Sequence, residues 1–537
     1  MILNLMIISC AKCCNALHIL GCFRLMIFCK HELGTQKHDL TTLSKFRISD
    51  SKKHQIDLSQ DLLEDRVICL IMDCQVFFDS DYFELLEVAF RDPNLTALYT
   101  DFEYQSEFSS EKFRIRPPNW SPERLLSNDY LGPVFALDFQ KFDKNLKSGK
   151  LTRTQLLLTC ISNGLKVRLI DQVGYAVSPE NLDLSVVSRK DEVNKFLSDF
   201  RPGSKVATNS TPWLIISNSG LAPEVVSVVI PTRGTKKSLF NGELVVNCVK
   251  SLQKQKLENS RVEVIVVFDS DSKLNYLKKL KKLESEKFSI SLVSYDPPFN
   301  FARKCNIGAQ SASGEVILFL NDDTICIDSG ALLELAGTAM IKEVGAVGAK
   351  LLFENESIQH AGYILRERFV GHAYIKDNDG FGPFGDLVST HEVVGVTGAC
   401  LAQRKEIWET IGKWNESFPS SYNDVDYCFR ITEAGFSILQ VNQAKLKHYE
   451  SVTRNPKVYP REREMIEQLW GHKFIDEPFF RMAVTKPEAR IVQKNLVTRY
   501  FHYARATYRR QGLVGLWELL VNFYDKTLIS KQKKKLT

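Results

Sequence analysis

From Val225 onward the sequence alternates short, unbroken apolar runs with longer stretches of helical spacing, and this restricts the fold more than any other feature of the 537 residues. VVSVVIP precedes a helical stretch near Leu244 to Leu252, VEVIVVFD a charged helix through LNYLKKLKKL, and ISLVSYD a helix around Ala302 to Ser311. VILFL, a helix through ALLELAGTAM and the run VGAVGAK continue the series. Strands apolar along their whole length are covered on both faces, and strands alternating with such helices build parallel sheets. The expected fold class is therefore α/β with a mostly parallel central sheet.

Three of these strands end in polar residues: Pro231-Thr232-Arg233, Asp269-Ser270-Asp271 and Asn321-Asp322-Asp323. One such end would be read as a turn or a helix cap. In open α/β sheets, however, ligands sit beyond the carboxyl ends of the strands, so three converging polar ends predict a pocket for a nucleotide and a metal ion. No G-x-G-x-x-G follows the first strand and no G-x-x-x-x-G-K-[ST] occurs, which argues against a dinucleotide oxidoreductase and a P-loop enzyme.

Downstream, VGVTGACLA (Val394 to Ala402) is rich in small residues and suits close approach of backbone or ligand. A helix is expected from about Arg404 to Ile411. In YNDVDYCFR, Asn423 reads as an N-cap, with Val425, Cys428, Phe429 and Thr432 spaced as one buried helical face. Asp424 then lies in the first turn, where the helix dipole favours the ionised carboxylate. Capping alone would explain an aspartate there equally well.

Taken in order, VSVVIPTRG, VIVVFDSDS, NFARKCNIGAQSASGEVILFLNDDT, TGACLAQRKEIWETIGKWNESF, NDVDYCFRITEAGF and HYES resemble family 2 glycosyltransferases of the GT-A fold, closest in character to bacterial rhamnosyl- and polysaccharide glycosyltransferases. The resemblance runs from about Val225 to Arg454 and implies a role for each matching position. Pro231, Thr232, Asp269, Asn306 and Asp322 would bind the nucleotide-sugar donor, with Asp269 at the base. Asn321-Asp322-Asp323 occupies the place of the family's D-x-D, Asn321 replacing its first aspartate. Asp323 and His448 would then hold Mg²⁺ or Mn²⁺, and Asp424 would be the general base. A cation neutralises charge on a departing diphosphate, while a carboxylate across the anomeric carbon takes the acceptor's proton, so single displacement with inversion is implied. His360 is read as pocket wall.

The first half resembles a second, eroded copy of the same family. Its strand RVICLIM ends in Asp73-Cys74-Gln75, with LYTDFEY and RPPNWSPERLLSNDYLG following. Thr154-Gln155-Leu156-Leu157-Leu158 stands where the catalytic carboxylate would be, and Gly174-Tyr175-Ala176-Val177 where a histidine is usual. This copy is expected not to transfer sugar. The implied domains are a poorly defined segment 1–60, a degenerate glycosyltransferase-like domain 61–205, a catalytic domain 222–480 and a basic helical tail 481–537.

A net charge of +6 marks no nucleic-acid surface, and its excess gathers in the tail, where Arg499, Arg505, Arg509 and Arg510 intersperse with aromatic residues before Lys531 to Lys535. Such a stretch suits peripheral contact with an anionic membrane, and packing against the catalytic domain explains it as well. The 13 cysteines lack disulfide spacing and many lie in apolar runs, which fits a reducing, cytoplasmic setting at the inner face of the plasma membrane. The first 29 residues are apolar but interrupted, and they are read neither as a clean membrane span nor as a secretory signal. The expected partners are a nucleoside-diphosphate sugar and a glycan or lipid-linked acceptor. A non-catalytic sugar-nucleotide or glycan-binding protein is the alternative, and a metal-dependent phosphotransferase, which would bring basic residues to an attacked phosphate, a third.

Overall fold

A computed structural model of the chain describes residues 24–29, 56–57, 67–72, 76–79, 81–105, 112–142, 150–177, 189–207, 213–236, 242–271, 275–296, 298–366, 369–449 and 459–481. These fall within a single compact unit, 1–481. The basic tail beyond Arg481 and Asp73-Cys74-Gln75 lie outside the described residues. No described helix is long and apolar enough to cross a membrane.

The C-terminal half is built on one mixed sheet. Phe288–Tyr295, Arg261–Asp269, Val225–Thr232 and Val316–Leu320 lie side by side and parallel, as expected. Cys400–Arg404, expected only as a small-residue segment, then enters antiparallel between Val316–Leu320 and Val344–Leu352. Beyond it Ser437–His448 runs parallel to Val344–Leu352 and antiparallel to Thr324–Cys326. Successive strand residues point to opposite faces, and here both faces are covered. Val228 and Val264 pack beneath the helices Leu244–Gln253 and Ala331–Ala339, while Val229, Ile265, Ile317 and Phe319 pack beneath Phe301–Gln310 and Asn423–Glu433. That double burial is why Val225–Thr232 and Val316–Leu320 show no polar alternation, whereas the edge strand Phe288–Tyr295 alternates between buried and exposed residues over its first half. Gly308 lets the Phe301–Gln310 helix approach the sheet, since a Cβ there would stand 2.3 Å from Val229.

The first half has its own sheet, and its pairings repeat those of the second in chain order. Arg24–Cys29 is parallel to Val67–Met72, which is antiparallel to Val134–Asp138. Val134–Asp138 is antiparallel to Ala97–Gln105, and that strand is parallel to Val167–Val177. Val76–Phe78 is antiparallel to Val167–Val177, and Lys112–Ile115 to Ala97–Gln105. The second half shows the same senses for Val225–Thr232, Val316–Leu320, Cys400–Arg404, Val344–Leu352, Ser437–His448, Thr324–Cys326 and Ile358–His360. A strand at Arg24–Cys29 was not foreseen in the irregular N-terminal segment.

Buried charges join the halves. Ser121 and the Glu123 N–H of the helix Pro122–Ser127 both donate to Glu392, placing a carboxylate at a helix N-terminus. Burial and Glu123 push Glu392 up to about 7. Arg124, fully buried, pairs with Asp386, whose second oxygen accepts from Tyr374 at 2.6 Å. Arg481 ties Asp101 at 2.8 Å. Removing one member of a buried pair leaves an uncompensated charge, so Arg124→Met is expected to cost about 3–5 kcal/mol of stability in urea unfolding followed by fluorescence.

Candidate active site

Because the first four strands are parallel, their carboxyl ends share one edge of the sheet. Thr232 and Asp269 meet there with Lys304, which rises from the Phe301–Gln310 helix. Lys304 Nζ lies 2.6 Å from Asp269 Oδ1 and donates to the Thr232 carbonyl at 2.8 Å, while Arg233 Nε lies 3.1 Å from Asp269 Oδ2. Burial pushes the Lys304 ammonium down, against the pull of Asp269. Asp269, buried at the second strand end, is therefore held by a buried cation below and an exposed arginine above. Lys304 had no place in the sequence reading, although a lysine two residues from Ala302 and one from Cys305, on a helix with a buried face, was the signal.

Asn321-Asp322-Asp323 follows Val316–Leu320. Thr232 Oγ1 donates to Asp322 Oδ2 at 2.5 Å, and burial together with Asp323 pushes Asp322 up to about 7. Asp323 is brought to His448 by strand pairing: Thr324 stands opposite His448, and the Tyr449 N–H donates to the Asp323 carbonyl at 3.0 Å. His448 Nε2 lies 3.1 Å from Asp323 Oδ1 and 3.3 Å from Asn321 Nδ2. Gln359 turns its Nε2 to the His448 carbonyl and its Oε1 to His448 Nδ1 at 2.7 Å. Nδ1 then carries the proton and Nε2 the lone pair.

These residues suit a divalent cation. Asp323 Oδ1 is buried and accepts no hydrogen bond among the described residues, and an imidazole lone pair faces it. A second ring proton or a cation held by both atoms resolves that contact. Among the described residues no group of three His, Cys, Asp or Glu side chains assembles. Mg²⁺-type sites are commonly completed by substrate phosphates and water, so a carboxylate and an imidazole are a sufficient protein share.

Asp424 is the second residue of the Asn423–Glu433 helix, two positions past a residue with left-handed backbone. That residue is Tyr422 (φ 58°), which takes the N-cap position expected for Asn423. Asn423 lies inside the helix, with its Nδ2 on the Phe418 carbonyl. Asp424 Oδ2 accepts from Tyr363 Oη at 2.7 Å, Gly398 N at 2.9 Å and Thr397 Oγ1 at 3.3 Å, and Oδ1 accepts from Val425 N at 2.9 Å. Asp426, two residues on, is spent on Arg430 and Trp470.

The two carboxylate stations flank one ladder. Leu320 pairs with Cys400, and the Asn321 N–H donates to the Ala399 carbonyl, so Asn321-Asp322-Asp323 leaves the ladder where Thr397-Gly398 enters it. The short strand Ile358–His360 spans both stations, with Gln359 on His448 and His360 Nε2 accepting from Thr397 N at 3.2 Å. Asn306 does not join them: its amide clamps the Trp414 backbone in both directions and reaches Glu416. Pro231 is buried within its strand. Tyr363, Gln359 and Thr397 escaped the sequence reading because their partners lie 27 to 89 residues away.

In the first half the helix Arg153–Ser162 follows the strand Val134–Asp138 as Asn423–Glu433 follows Cys400–Arg404. Its first residue, Arg153, donates to the Gly132 carbonyl at 2.7 Å and pairs with Asp129 at 2.7 Å. A guanidinium on a carbonyl thus stands near where the second half sets a carboxylate on an amide.

Residues 227–412 match the family model "Glycosyl transferase family 2". The O-antigen biosynthesis protein RfbC of Myxococcus xanthus is 28% identical over 393 residues, covering 68% of this chain and 29% of that protein. An uncharacterized protein, y4gI, of Sinorhizobium fredii (strain NBRC 101917 / NGR234) is 28% identical over 266 residues, 48% of this chain and 28% of its own length. The chain thus spans under a third of either relative. A solved structure of GalNAc-T7 with UDP, GalNAc and Mn²⁺ aligns at a TM-score of 0.39 and 13% identity, covering 47% of this chain and 49% of that one.

Proposed function

Because the chain belongs to glycosyl transferase family 2 through residues 227–412, we propose that it is an inverting enzyme moving a hexosyl or rhamnosyl group from a nucleoside-diphosphate sugar to a hydroxyl of a glycan or lipid-linked acceptor in cell-surface polysaccharide assembly. The observation carrying this reading is the pair of stations on either side of the Leu320–Cys400 ladder, Asp323 with His448 on one and Asp424 in its cradle on the other. The relative named for O-antigen biosynthesis supports the pathway, and a cytoplasmic site of action at the inner face of the plasma membrane accords with it.

In this reading Thr232 and Asp322 fix the donor's diphosphate side, and Lys304 and Arg233 neutralise Asp269 beside the base. Asp323 and His448 would hold Mg²⁺ or Mn²⁺, which supplies Lewis-acid stabilisation of the leaving diphosphate. The acceptor oxygen bonds to the anomeric carbon as the bond to the phosphate oxygen breaks. The electron pair leaves with the diphosphate and the acceptor proton passes to Asp424. One displacement inverts the anomeric centre. We assign no transfer to the first half, where Arg153 stands at the start of the corresponding helix, and read it, as a domain near 61–205, as a support for the catalytic domain near 222–480.

Purified full chain with Mn²⁺ or Mg²⁺ is expected to release nucleoside diphosphate from one member of a UDP-, dTDP- and GDP-sugar panel, with lipid-linked acceptors added. Metal-dependent donor binding without release from any donor under those conditions would instead favour the sugar-nucleotide-binding protein.

A further inference from the structure

We propose that Tyr363, seated between His360 and His372, is the positioning residue that directs the acceptor's proton to Oδ1 of Asp424. The inference rests on the assignment of Asp424 as base.

A carboxylate oxygen has two in-plane lone pairs. Oδ2 of Asp424 already meets three donors, of which the Tyr363 hydroxyl is nearest at 2.7 Å, while among the described residues Oδ1 meets only the amide of the following residue. A proton arriving at Asp424 therefore finds its acceptor on Oδ1. Of the three donors, Gly398 is backbone and Thr397 is long, so Tyr363 holds the carboxylate's orientation most strongly. Burial and the neighbouring carboxylate push the Tyr363 phenol well up, which keeps it a donor at any working pH.

The ring is fixed independently of its hydroxyl. It lies edge-on to His360 at 5.1 Å and near His372 at 5.3 Å, and the Tyr363 backbone N–H donates to the Gly395 carbonyl at 2.8 Å. The two imidazoles also determine each other. His360 Nε2 accepts from Thr397 N, so the His360 proton sits on Nδ1 and donates to His372 Nδ1 at 2.8 Å. Burial pushes His360 well down, so the ring supporting Thr397 is neutral and adds no positive charge beside the base. From its own helix Asp424 is faced by Cys428, whose thiol burial raises, and by Asp426, which Arg430 offsets. From the neighbouring strands come Tyr363, His360 and His372, and the Val393–Gly398 stretch contributes no titratable group.

The test is Tyr363→Phe, which keeps the ring between the histidines and removes only the O–H, beside Thr397→Ala, Tyr363→Leu and Asp424→Asn. Infrared difference spectra of the full chain read the Asp424 carboxylate stretch directly, identified by its loss in Asp424→Asn, and need no substrate. A charge-assisted hydrogen bond to one oxygen polarises the carboxylate, so Tyr363→Phe is expected to displace that band, and Thr397→Ala to displace it by less in the same direction. With a donor from the UDP-, dTDP- and GDP-sugar panel, Tyr363→Phe is expected to lower kcat about tenfold with KM unchanged. An unmoved carboxylate band in Tyr363→Phe and Thr397→Ala overturns the proposal while leaving Asp424 as base. Turnover retained by Asp424→Asn overturns the base itself, and a Tyr363→Phe effect no different from Tyr363→Leu reduces the residue to packing.

Discussion

Asp424→Asn will bind a nucleoside-diphosphate sugar about as tightly as the parent and turn it over about 10²- to 10⁴-fold more slowly, the usual share of a positioned general base. The substitution is nearly isosteric. The groups around Oδ2 are all donors, which an amide oxygen placed there still meets, and the Val425 N–H at Oδ1 is the group that loses its acceptor, so the fold around it is expected to persist. What disappears is a site for the acceptor's proton. Asp426→Asn, two residues along the same helix, supplies the contrast. That carboxylate is 2% exposed and satisfies Arg430 and Trp470, so its loss is expected to lower the unfolding midpoint and leave kcat near the parent value. Calorimetric donor titration, turnover and urea unfolding of the two variants separate chemistry from scaffolding within one turn of helix.

Asp323→Ala is expected to remove metal-dependent donor binding altogether and to lower turnover by at least about 10²-fold, because a divalent cation would keep only the imidazole of His448 from the protein. The neighbouring Asp322 adds a pH dependence to cation binding in the parent. Its carboxyl is pushed up to about 7 by burial and by Asp323, so it takes up a proton as pH falls through that value. The site then loses negative charge and binds Mn²⁺ more weakly, whereas above pH 7 the affinity is full. For stability the sign is opposite. A carboxyl whose folded value lies above its unfolded value of 3.8 favours the folded state below that unfolded value, and the contribution is lost as pH rises toward 7. Cation binding would reverse that loss. Isothermal titration with Mn²⁺ between pH 5.5 and 8 reads the first effect, and urea unfolding of metal-free protein over the same range reads the second.

The strand ends were legible because a strand buried on both faces of a parallel sheet is an uninterrupted apolar word, and its last letter is conspicuous. Thr232, Asp269 and Asn321-Asp322-Asp323 announce themselves in that way, and so does the helix opening at Asp424. Cys400–Arg404 was harder. It is an antiparallel insertion between Val316–Leu320 and Val344–Leu352, and its small residues describe what it must avoid without fixing what it pairs with. The cap at Tyr422 was misassigned because asparagine is the better capping residue in isolation, while here the chain reaches the helix through a left-handed tyrosine and Asn423 turns inward to the Phe418 carbonyl. Asn306 was given to the donor on resemblance, whereas its amide ties the Trp414 segment to the helix. Lys304, Gln359 and Tyr363 act through partners distant in sequence, and only the closed sheet makes them neighbours.

The carboxylates that the first half satisfies also bear on how the protein can be handled. A chain shortened to begin near residue 222 would lack Ser121, Glu123 and Arg124, stranding Glu392 and Asp386 in a surface that had been interior. The segment so exposed leads directly into Val393 and on to Gly398, the amide on which Asp424 rests. Trimming the chain to its family-matching part would thus be expected to yield an insoluble product or a silent one, so the first half would act as a built-in folding support for the second.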